Sequence, residues 1–199
     1  MKLIFISGPS GSGKTTLSNK IIGKIKNGIV LRTDNYYKTG LFSKLLSKFI
    51  EGYFDKSISF NYELFKKDLN FILENGSSIN ERFYNFEQKT IKNSLKETND
   101  INFIIIEGIF AKELSSTLFK QNYYFLELKI DKNECMKRVV KRDLNERGKV
   151  KKQAKKDFLK SWDIYYKKLK NKSIKKFNGN EFTITKKTNI EKLIKELSN

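Results

Sequence analysis

Residues 8–15 read Gly-Pro-Ser-Gly-Ser-Gly-Lys-Thr and fit the phosphate-binding pattern G-x-x-x-x-G-K-[ST]. Glycines in such a loop let successive backbone N–H groups point at a phosphate, which a Cβ atom would obstruct. In this pattern the lysine, here Lys14, contacts the β- and γ-phosphates, and the hydroxyl of the last residue, here Thr15, ligates Mg²⁺. An apolar run precedes the loop and a helix-like pattern follows it, so the positive end of that helix would face the same anion. The chain is therefore predicted to bind a nucleoside triphosphate.

The composition indicates a folded chain with an unusual charge. The 199 residues are 38% hydrophobic and 13% aromatic, enough for a sizeable core, and the formal net charge is +19. Such a charge suggests a nucleic-acid partner. However, only five of the basic residues are arginines, and the lysines are spread along the whole chain. We therefore expect most of the charge to be solvated surface and consider nucleic acid an unlikely partner, with a preference for polyanions as the alternative.

Cys135 is the only cysteine, which excludes an intrachain disulfide and a cysteine metal site. Its neighbours Met136, Val139 and Val140 lie at helical spacing and predict a core position. The apolar run at the N-terminus is too short for a signal peptide, and no stretch has transmembrane length. The sequence thus favours a cytoplasmic protein without a membrane partner.

Apolar runs alternate with helical patterns, which is typical of an α/β fold with a parallel sheet between layers of helices. The predicted strands are residues 2–6, 28–32, 101–106 and 123–130.

Several helices can be placed from apolar spacing and capping signals. They are expected at Leu64–Leu73 (ended by Asn75-Gly76), from Asp131 to about Leu144, along the stripe Phe158, Trp162, Tyr165, Tyr166 and Leu169, and at Ile190–Leu197. Asn178-Gly179 is typical of a hairpin turn between short strands. No linker divides the chain, so a single domain over residues 1–199 is predicted.

Two acidic residues lie at or near the ends of predicted strands. Asp34 comes after the strand at 28–32, and Glu107 comes after the strand at 101–106. In open α/β sheets, ligands lie beyond the carboxyl ends of the strands, so both acids should border the phosphate loop. Asp34 could accept or orient an acceptor hydroxyl, and Glu107 could hold Mg²⁺ or its water. Gly108 leaves room for a ligand to approach.

Three of the five arginines, Arg138, Arg142 and Arg147, fall within ten residues. The planar guanidinium group suits phosphate oxygens that gain charge during transfer. Gly148 would let the segment move as a lid, approximately residues 138–152, and exclude water. The lysines that follow, between 151 and 156, are interpreted as solvated surface.

The order of these motifs, from Met1 to about Tyr166, resembles the uridine kinase and phosphoribulokinase family of P-loop kinases. That resemblance implies a P-loop NTPase fold, three-layer α/β/α, with a mostly parallel central sheet and a helical lid. The segments that carry it are GPSGSGKTTLS at 8–18, Thr33-Asp34-Asn35-Tyr36-Tyr37 (S-x-D-x-[FY]-Y), Phe54-Asp55 through Ser59-Phe60-Asn61 (W-D-x-P-x-S-F-D), Tyr84-Asn85-Phe86 (Y-D-F), Ile106-Glu107-Gly108-Ile109 (E-G-I) and Arg142-Asp143 through Arg147-Gly148 (R-D-x-x-x-R-G).

The resemblance also implies a role for each motif residue. Catalysis is assigned to Asp34 as base, with Lys14, Arg142 and Arg147. The nucleotide is assigned to Gly8, Ser10, Gly11, Ser12, Gly13, Lys14, Thr15, Thr16, Arg138 and Arg142. The acceptor is assigned to Asp34, Tyr37, Asp55, Asn61, Tyr84, Phe86 and Arg147, and the metal to Thr15 and Glu107.

The chain departs from the family pattern mainly on the acceptor side. Asn61 replaces an aspartate, and Ser57 replaces a proline. Lys89 or its neighbours stand where a pyrimidine-reading histidine is expected, and Val139 replaces a second lid arginine. The nucleotide half of the site therefore matches the family more closely than the nucleoside half.

We expect a small-molecule kinase that uses ATP (or GTP) and Mg²⁺, acting foremost on the 5′-hydroxyl of uridine or cytidine. The alternatives are a kinase of another metabolite, such as pantothenate, nicotinamide riboside or a sugar phosphate, and a P-loop NTPase that binds nucleic acid. A homo-oligomer is compatible with the sequence.

Overall fold

The computed structural model describes residues 1–76, 78–86, 88–98, 100–118, 123–171 and 179–198. The strands in these ranges are β1 (Lys2–Ser7), β2 (Gly28–Arg32), β3 (Ser78–Asn85), β4 (Thr90–Glu97), β5 (Phe103–Glu107), β6 (Tyr123–Leu128) and β7 (Gly179–Ile184). The helices are α1 (Lys14–Ile22), α2 (Gly40–Phe49), α3 (Tyr62–Asn75), α4 (Ala111–Leu118), α5 (Lys132–Arg147), α6 (Lys151–Asn171) and α7 (Ile190–Ser198). Short 3-10 helices lie at Thr33–Asn35, Tyr53–Asp55 and Ser57–Ser59.

The central sheet has the strand order β2-β5-β1-β6-β7, and all of these neighbours pair in parallel. Successive side chains of β1 enter opposite cores: Leu3 and Phe5 join the core on one face, and Ile4 and Ile6 join the core on the other. Helices α3 and α4 contribute to the first core, and α1 and α7 contribute to the second. A strand buried on both faces must be apolar throughout, which explains the uninterrupted run in the sequence. The predicted three-layer α/β/α architecture is confirmed.

The four predicted strands are present, with small shifts at their ends. The strand expected at 101–106 begins at Phe103 and runs to Glu107. Ile101 and Asn102 precede it, and their N–H groups donate to the carbonyls of Gly76 and Asn27. The strand expected at 123–130 ends at Leu128.

The sequence analysis did not foresee the antiparallel hairpin of β3 and β4, which forms a separate two-stranded sheet. Strand β4 is exposed along nearly its whole length, so it lacks the apolar alternation that marks a half-buried strand. An ion pair joins the hairpin to the body, because Arg82 on β3 binds the buried carboxylate of Asp68 on α3.

The predictions for the C-terminal third are largely confirmed. Cys135 is fully buried, Phe158 and Tyr165 are core residues of α6, and α7 begins at Ile190 as expected. Leu169 and Asn178 lie outside the residues whose side chains are described. Gly179 opens β7, which pairs in parallel with β6, and a Cβ atom there would lie 2.1 Å from the Tyr123 carbonyl oxygen. The described part of the predicted Asn178-Gly179 turn is thus the start of a closely packed parallel strand.

Candidate active site

The phosphate loop connects the carboxyl end of β1 to α1 and is held in a shape that requires glycine. Gly11 and Gly13 have φ angles of +79° and +97°, a left-handed conformation that side chains disfavour. A Cβ atom on Gly11 would lie 2.5 Å from the Cys135 carbonyl oxygen, so the loop rests directly on α5. Gly13 is also the N-cap of α1 and provides no side-chain cap. The first N–H groups of α1 therefore have no side-chain cap and are available to an anion.

The interior of the loop contains a polar group without a partner. Ser12 Oγ is buried and makes no hydrogen bond within the described part of the chain. A Cβ atom at Gly8 would lie 2.6 Å from this oxygen, so the lack of a side chain at Gly8 keeps the space open. An unsatisfied buried hydroxyl is costly, and a phosphate oxygen would satisfy it. These residues fit a nucleoside triphosphate.

Three charged groups meet at the end of this loop. Lys14 Nζ donates to the Pro9 carbonyl at 3.1 Å. Burial lowers the pKa of Lys14, and the carboxylates of Glu107 and Asp34 partly oppose that shift. Burial likewise raises the pKa of Glu107, against the opposite effect of the Lys14 charge. The structure therefore brings Lys14, Glu107 and Asp34 together, as the sequence analysis expected.

The predicted metal ligands are in contact with each other. Thr15 Oγ1 donates to Glu107 Oε1 at 3.0 Å. The described residues contain no group of three or more histidine, cysteine, aspartate or glutamate side chains that could hold a metal ion alone. Mg²⁺ in nucleotide sites commonly takes only one or two protein ligands and completes its shell with phosphates and water. A hydroxyl beside a carboxylate fits that ion.

Arg32 orients Glu107, a role that the sequence analysis missed. Its Nε lies 3.5 Å from Glu107 Oε1, and its Nη2 donates to Asn19 Oδ1 at 3.1 Å. Arg32 and Glu107 are register partners at the ends of β2 and β5. Their positions at strand ends are visible in the sequence, but their pairing depends on the strand order.

Asp34 lies in the 3-10 helix that follows β2 and is exposed to solvent. The side chain of the preceding residue, Thr33, packs directly on Gly108 at the end of β5, because a Cβ atom on Gly108 would lie 1.8 Å from Thr33 Oγ1. Gly108 has a φ of +144°, so glycine is required both for this approach and for the backbone conformation. Tyr37 Oη donates to Asp34 Oδ1 at 3.5 Å.

Four aromatic rings surround the Tyr37 side of Asp34 and are called here the aromatic cluster: Tyr37, Phe54, Tyr84 and Phe86. Their centroids lie 5.0–6.2 Å apart in edge-to-face arrangements. Tyr37 and Tyr84 are buried, whereas Phe54 and Phe86 are half-buried. Tyr84 Oη is buried without a hydrogen bond among the described residues, and burial raises its pKa to about 12. The half-buried phenylalanines are thus the members with accessible ring surface.

The remaining acceptor-side predictions fall in different places. Asp55 accepts a hydrogen bond from Ser161 Oγ of α6 at 2.7 Å and lies close enough to Tyr37 to raise its pKa. Asn61 is the N-cap of α3, where its side chain accepts from the Leu64 N–H at 3.1 Å. Lys89, in the hairpin turn, hydrogen-bonds with Ser47 of α2. The Asn61 side chain is therefore engaged in helix capping.

The arginines of the predicted lid lie on α5, which ends at Gly148 in a left-handed C-cap with φ +60°. Arg138 donates to the Gly11 carbonyl at 3.2 Å and so contacts the phosphate loop. The Arg147 guanidinium lies 5.0 Å from the centroid of Phe86, a cation–π contact with the aromatic cluster. The segment therefore touches both halves of the site.

Asp143 connects these lid residues. Its carboxylate is buried and lies 2.9 Å from Arg142, 3.6 Å from Arg147 and 3.1 Å from Lys149. Burial alone would raise the pKa of Asp143, but hydrogen bonds and charges from Arg142, together with Arg147 and Lys149, lower it overall. The sequence analysis quoted this aspartate within a motif and gave it no role.

The residue that replaces the second lid arginine and the lysines that follow the lid have different surroundings. Val139 is buried against Gly11, where its Cγ2 would meet a Cβ atom at 2.9 Å, so the residue in place of an arginine packs under the phosphate loop. The lysines at 151, 152, 155 and 156 are exposed, as predicted. Within the described ranges, no helix is long and apolar enough to cross a membrane.

Comparison with known proteins identifies the family. The family described as Phosphoribulokinase / Uridine kinase matches residues 3–170. The chain belongs to this family. It is 33% identical to the uridine kinase of Ureaplasma parvum over 155 residues, which cover 74% of this chain and 71% of that protein. It is 34% identical to the uridine kinase of Borrelia duttonii over 154 residues, which cover 75% and 71%.

A solved structure supports the fold. A candidate fructose transport system kinase from Silicibacter sp. TM1040 superposes with a TM-score of 0.65 at 17% identity, covering 91% of this chain and 89% of that one. Membership of the phosphoribulokinase/uridine kinase family makes the protein a phosphotransferase with a hydroxyl acceptor, which uses a nucleoside triphosphate and a divalent metal ion.

Proposed function

We propose that the protein transfers the γ-phosphoryl group of ATP to the 5′-hydroxyl of uridine or cytidine, with Mg²⁺ as the metal. The observation that carries this proposal is the position of Asp34 between the two halves of the site. On one side its charge opposes the burial that lowers the pKa of Lys14, and on the other it accepts a hydrogen bond at 3.5 Å from Tyr37, a member of the aromatic cluster. The uridine kinase names of the Ureaplasma and Borrelia relatives support a nucleoside acceptor.

The nucleotide would lie in the phosphate loop, with its β- and γ-phosphates near Lys14. Thr15 and Glu107 would hold Mg²⁺, which supplies charge neutralisation for the phosphate oxygens. The Ser12 hydroxyl would donate a hydrogen bond to a phosphate oxygen. The other proposed nucleotide contacts are Gly8, Ser10, Gly11, Gly13, Thr16, Arg138 and Arg142.

Asp34 is the proposed catalytic base. Its exposed carboxylate would accept a hydrogen bond from the acceptor hydroxyl and align that hydroxyl with the γ-phosphate. The loose transition state of phosphoryl transfer needs little proton abstraction until late, so a carboxylate can serve as the base.

The acceptor base would pack on the aromatic cluster, where Phe54 and Phe86 have accessible ring surface. Planar aromatic side chains suit a nucleobase of either pyrimidine type, since every base has a π-face. Asp55 would face the ribose hydroxyls, with Tyr37, Asn61, Tyr84 and Arg147 as the further proposed contacts. Arg142 and Arg147 would stabilise the charge on the transferred group.

The test is release of ADP from ATP, and then of GDP from GTP, measured with a panel of acceptors with and without Mg²⁺. The panel contains uridine, cytidine, purine nucleosides, pantothenate, nicotinamide riboside, a sugar phosphate and a polynucleotide. We expect release that depends on uridine or cytidine, and nucleoside 5′-monophosphate as the product by mass. The Lys14→Ala variant, purified identically, controls for contaminating kinases.

Acceptor-dependent release with a compound lacking a nucleobase, and none with pyrimidine nucleosides, would refute the nucleoside assignment while leaving the kinase assignment intact. Release stimulated only by a polynucleotide would refute both.

A further inference from the structure

Helix α2 has the reverse orientation of an ordinary surface helix, with polar side chains toward the protein and apolar side chains toward solvent. Its serines face the body of the protein: Ser43 is buried, donates to the Lys38 carbonyl at 2.7 Å and hydrogen-bonds with Tyr53 Oη at 3.1 Å. Ser47 contacts Lys89 of the β3–β4 hairpin. A surface helix normally buries its apolar stripe and exposes its polar one.

Four of the five large apolar side chains of α2 point to solvent instead, and the fifth, Leu46, is half-buried. Leu41, Phe42, Leu45 and Phe49 are 85%, 73%, 51% and 79% exposed. At 100° per residue these four positions fall within an arc of about 100° on one side of the helix. This arc is called here the α2 apolar face.

The area of the α2 apolar face is large for a single ten-residue helix. A phenylalanine buries about 150–250 Å² when covered, so these exposed fractions correspond to roughly 500 Å² of apolar side chain. The largest apolar patch on a typical monomer is about 300–600 Å² and is often functional. The α2 apolar face alone reaches that range.

We propose that a second copy of this chain covers the α2 apolar face, through an antiparallel pair of α2 helices around a two-fold axis near Leu45. Two-fold dimers are the commonest closed assembly, and they bring the same patch of each copy together. Leu45 stands midway between Leu41 and Phe49, so an antiparallel pair sets Leu41 of one copy against Phe49 of the other. The two faces together would bury roughly 1,000 Å², the size at which a specific interface becomes plausible.

The charges around the face fit this orientation. Lys38 precedes α2 and Glu51 follows it, and both are exposed. Glu51 already pairs with Lys160 of its own chain, and its side chain remains 73% exposed. An antiparallel pair places Lys38 of one copy next to Glu51 of the other at both ends of the interface. Lys44 and Lys48 lie along one edge of the apolar arc and can extend into water from it.

A cysteine placed on the proposed axis gives a direct test. The native Cys135 is fully buried, so a thiol introduced by Leu45→Cys is the accessible one. We expect this variant to form a disulfide-linked dimer under mild oxidation at micromolar concentration. Leu95→Cys is the matched control, because Leu95 is 66% exposed and lies at the end of β4 away from the hairpin turn that contacts α2. The control should remain uncrosslinked.

The oligomeric state should respond to the same face. Light scattering and sedimentation should give a dimer for the native chain. The double variant Phe42→Ser/Phe49→Ser should raise the dissociation constant of that dimer by about 100-fold or more. Leu95→Ser should leave the dimer unchanged, and circular dichroism checks that each variant is folded. Raising the salt concentration should preserve the dimer, since apolar contacts are not screened.

A native chain that is monomeric at all concentrations, with no crosslink through position 45, would overturn the proposal. Salt-sensitive binding to vesicles of anionic lipid that is lost in Phe42→Ser/Phe49→Ser would overturn it in favour of a membrane surface. Phe42 and Phe49 do not belong to the proposed active site, so the kinase activity of the variants can be measured separately.

Discussion

Replacing Asp143 by asparagine removes the one negative charge that Arg142, Arg147 and Lys149 share. The side chain of Asp143 is 3% exposed, whereas the three cations keep about a third of their side-chain surface exposed, at 36%, 35% and 31%. Asparagine has nearly the same shape and can still accept hydrogen bonds, so the variant isolates the effect of charge.

The expected loss of stability lies between two limits. Removing one member of a fully buried ion pair costs about 3–5 kcal/mol, and an exposed pair contributes about 0–1 kcal/mol. Because solvent screens the partly exposed cations, we expect Asp143→Asn to lower the free energy of unfolding by about 2 kcal/mol. For a chain of this size, that corresponds to a fall in Tm of about 4–8 °C at neutral pH.

The pH dependence gives the prediction its sign. The pKa of Asp143 is lowered in the folded state, because the three cations together outweigh the opposite effect of burial. Its charge therefore stabilises the fold above the unfolded pKa of about 3.9, and this stabilisation disappears as the pH falls through the folded value. The difference in Tm between the native chain and Asp143→Asn should be constant from about pH 7 to pH 5 and should shrink below about pH 4.

The assay is thermal unfolding followed by circular dichroism at intervals between pH 3 and pH 7. Glu146→Gln, at an exposed acid of the same helix, is the control and should change Tm by less than about 2 °C. A difference between Asp143→Asn and the native chain that stays the same down to pH 3, or that is absent at pH 7, would show that the Asp143 charge does not hold the lid residues together.

The remaining predictions concern turnover. Lys14→Ala should abolish activity and leave Tm nearly unchanged, because burial already lowers the pKa of this lysine and its ammonium hydrogen-bonds only locally; near-native kcat would contradict the phosphate-loop assignment. Asp34→Asn should lower kcat by about 10²–10⁴ with little effect on ATP affinity, and an equal loss of ATP binding would instead assign Asp34 to the metal site. Phe86→Ala should raise the acceptor KM at least about tenfold and the ATP KM far less. Tyr84→Ala should do the same but also lower Tm, since this ring is buried; an unchanged acceptor KM for uridine and cytidine in both variants would make the two rings structural.

The nucleotide half of the site could be predicted because its geometry is local in sequence. The loop from Gly8 to Thr15 contains its own turn glycines and phosphate ligands within eight residues. Asp34 and Glu107 could be placed beside it by one topological rule, that the carboxyl ends of parallel strands share an edge. The electrostatic effects of both acids on Lys14 agree with that placement.

Pairings between distant segments could not be predicted in the same way. The contact of Arg32 with Glu107 requires β2 and β5 to be neighbours in register, although β1 and β2 are consecutive in the chain. Likewise, the contact of Ser161 with Asp55 joins residues 106 positions apart. Neither spacing has a periodic signal.

Exposed elements also escaped prediction. Strand β4 has no alternating apolar pattern in its sequence, because both of its faces are largely in solvent. Helix α2 does have an amphipathic pattern, but the pattern alone gives no indication that the apolar side is the outer one. That orientation follows from the hydrogen bonds of Ser43 and Ser47 to neighbouring elements.

Asn61 illustrates how a motif position can acquire a structural role. The family pattern has an aspartate here, and either residue type is a favoured N-cap. In this chain the side-chain oxygen is occupied by the Leu64 N–H of α3. An acceptor contact by Asn61 would therefore have to coexist with capping, whereas Asp55 Oδ1 accepts its hydrogen bond from Ser161 of α6.

Arg147 contacts residues in both halves of the candidate site. It contacts Asp143 within the lid and Phe86 within the aromatic cluster, so its position depends on both. A base that packs on Phe86 competes with the guanidinium for the same ring face, because a cation–π contact and a stacked base use the same surface. We therefore expect acceptor binding to release Arg147 from Phe86, while Asp143 keeps it on α5 within reach of the transferred phosphate. The aromatic cluster would then act on phosphoryl transfer through the lid as well as through the acceptor it binds.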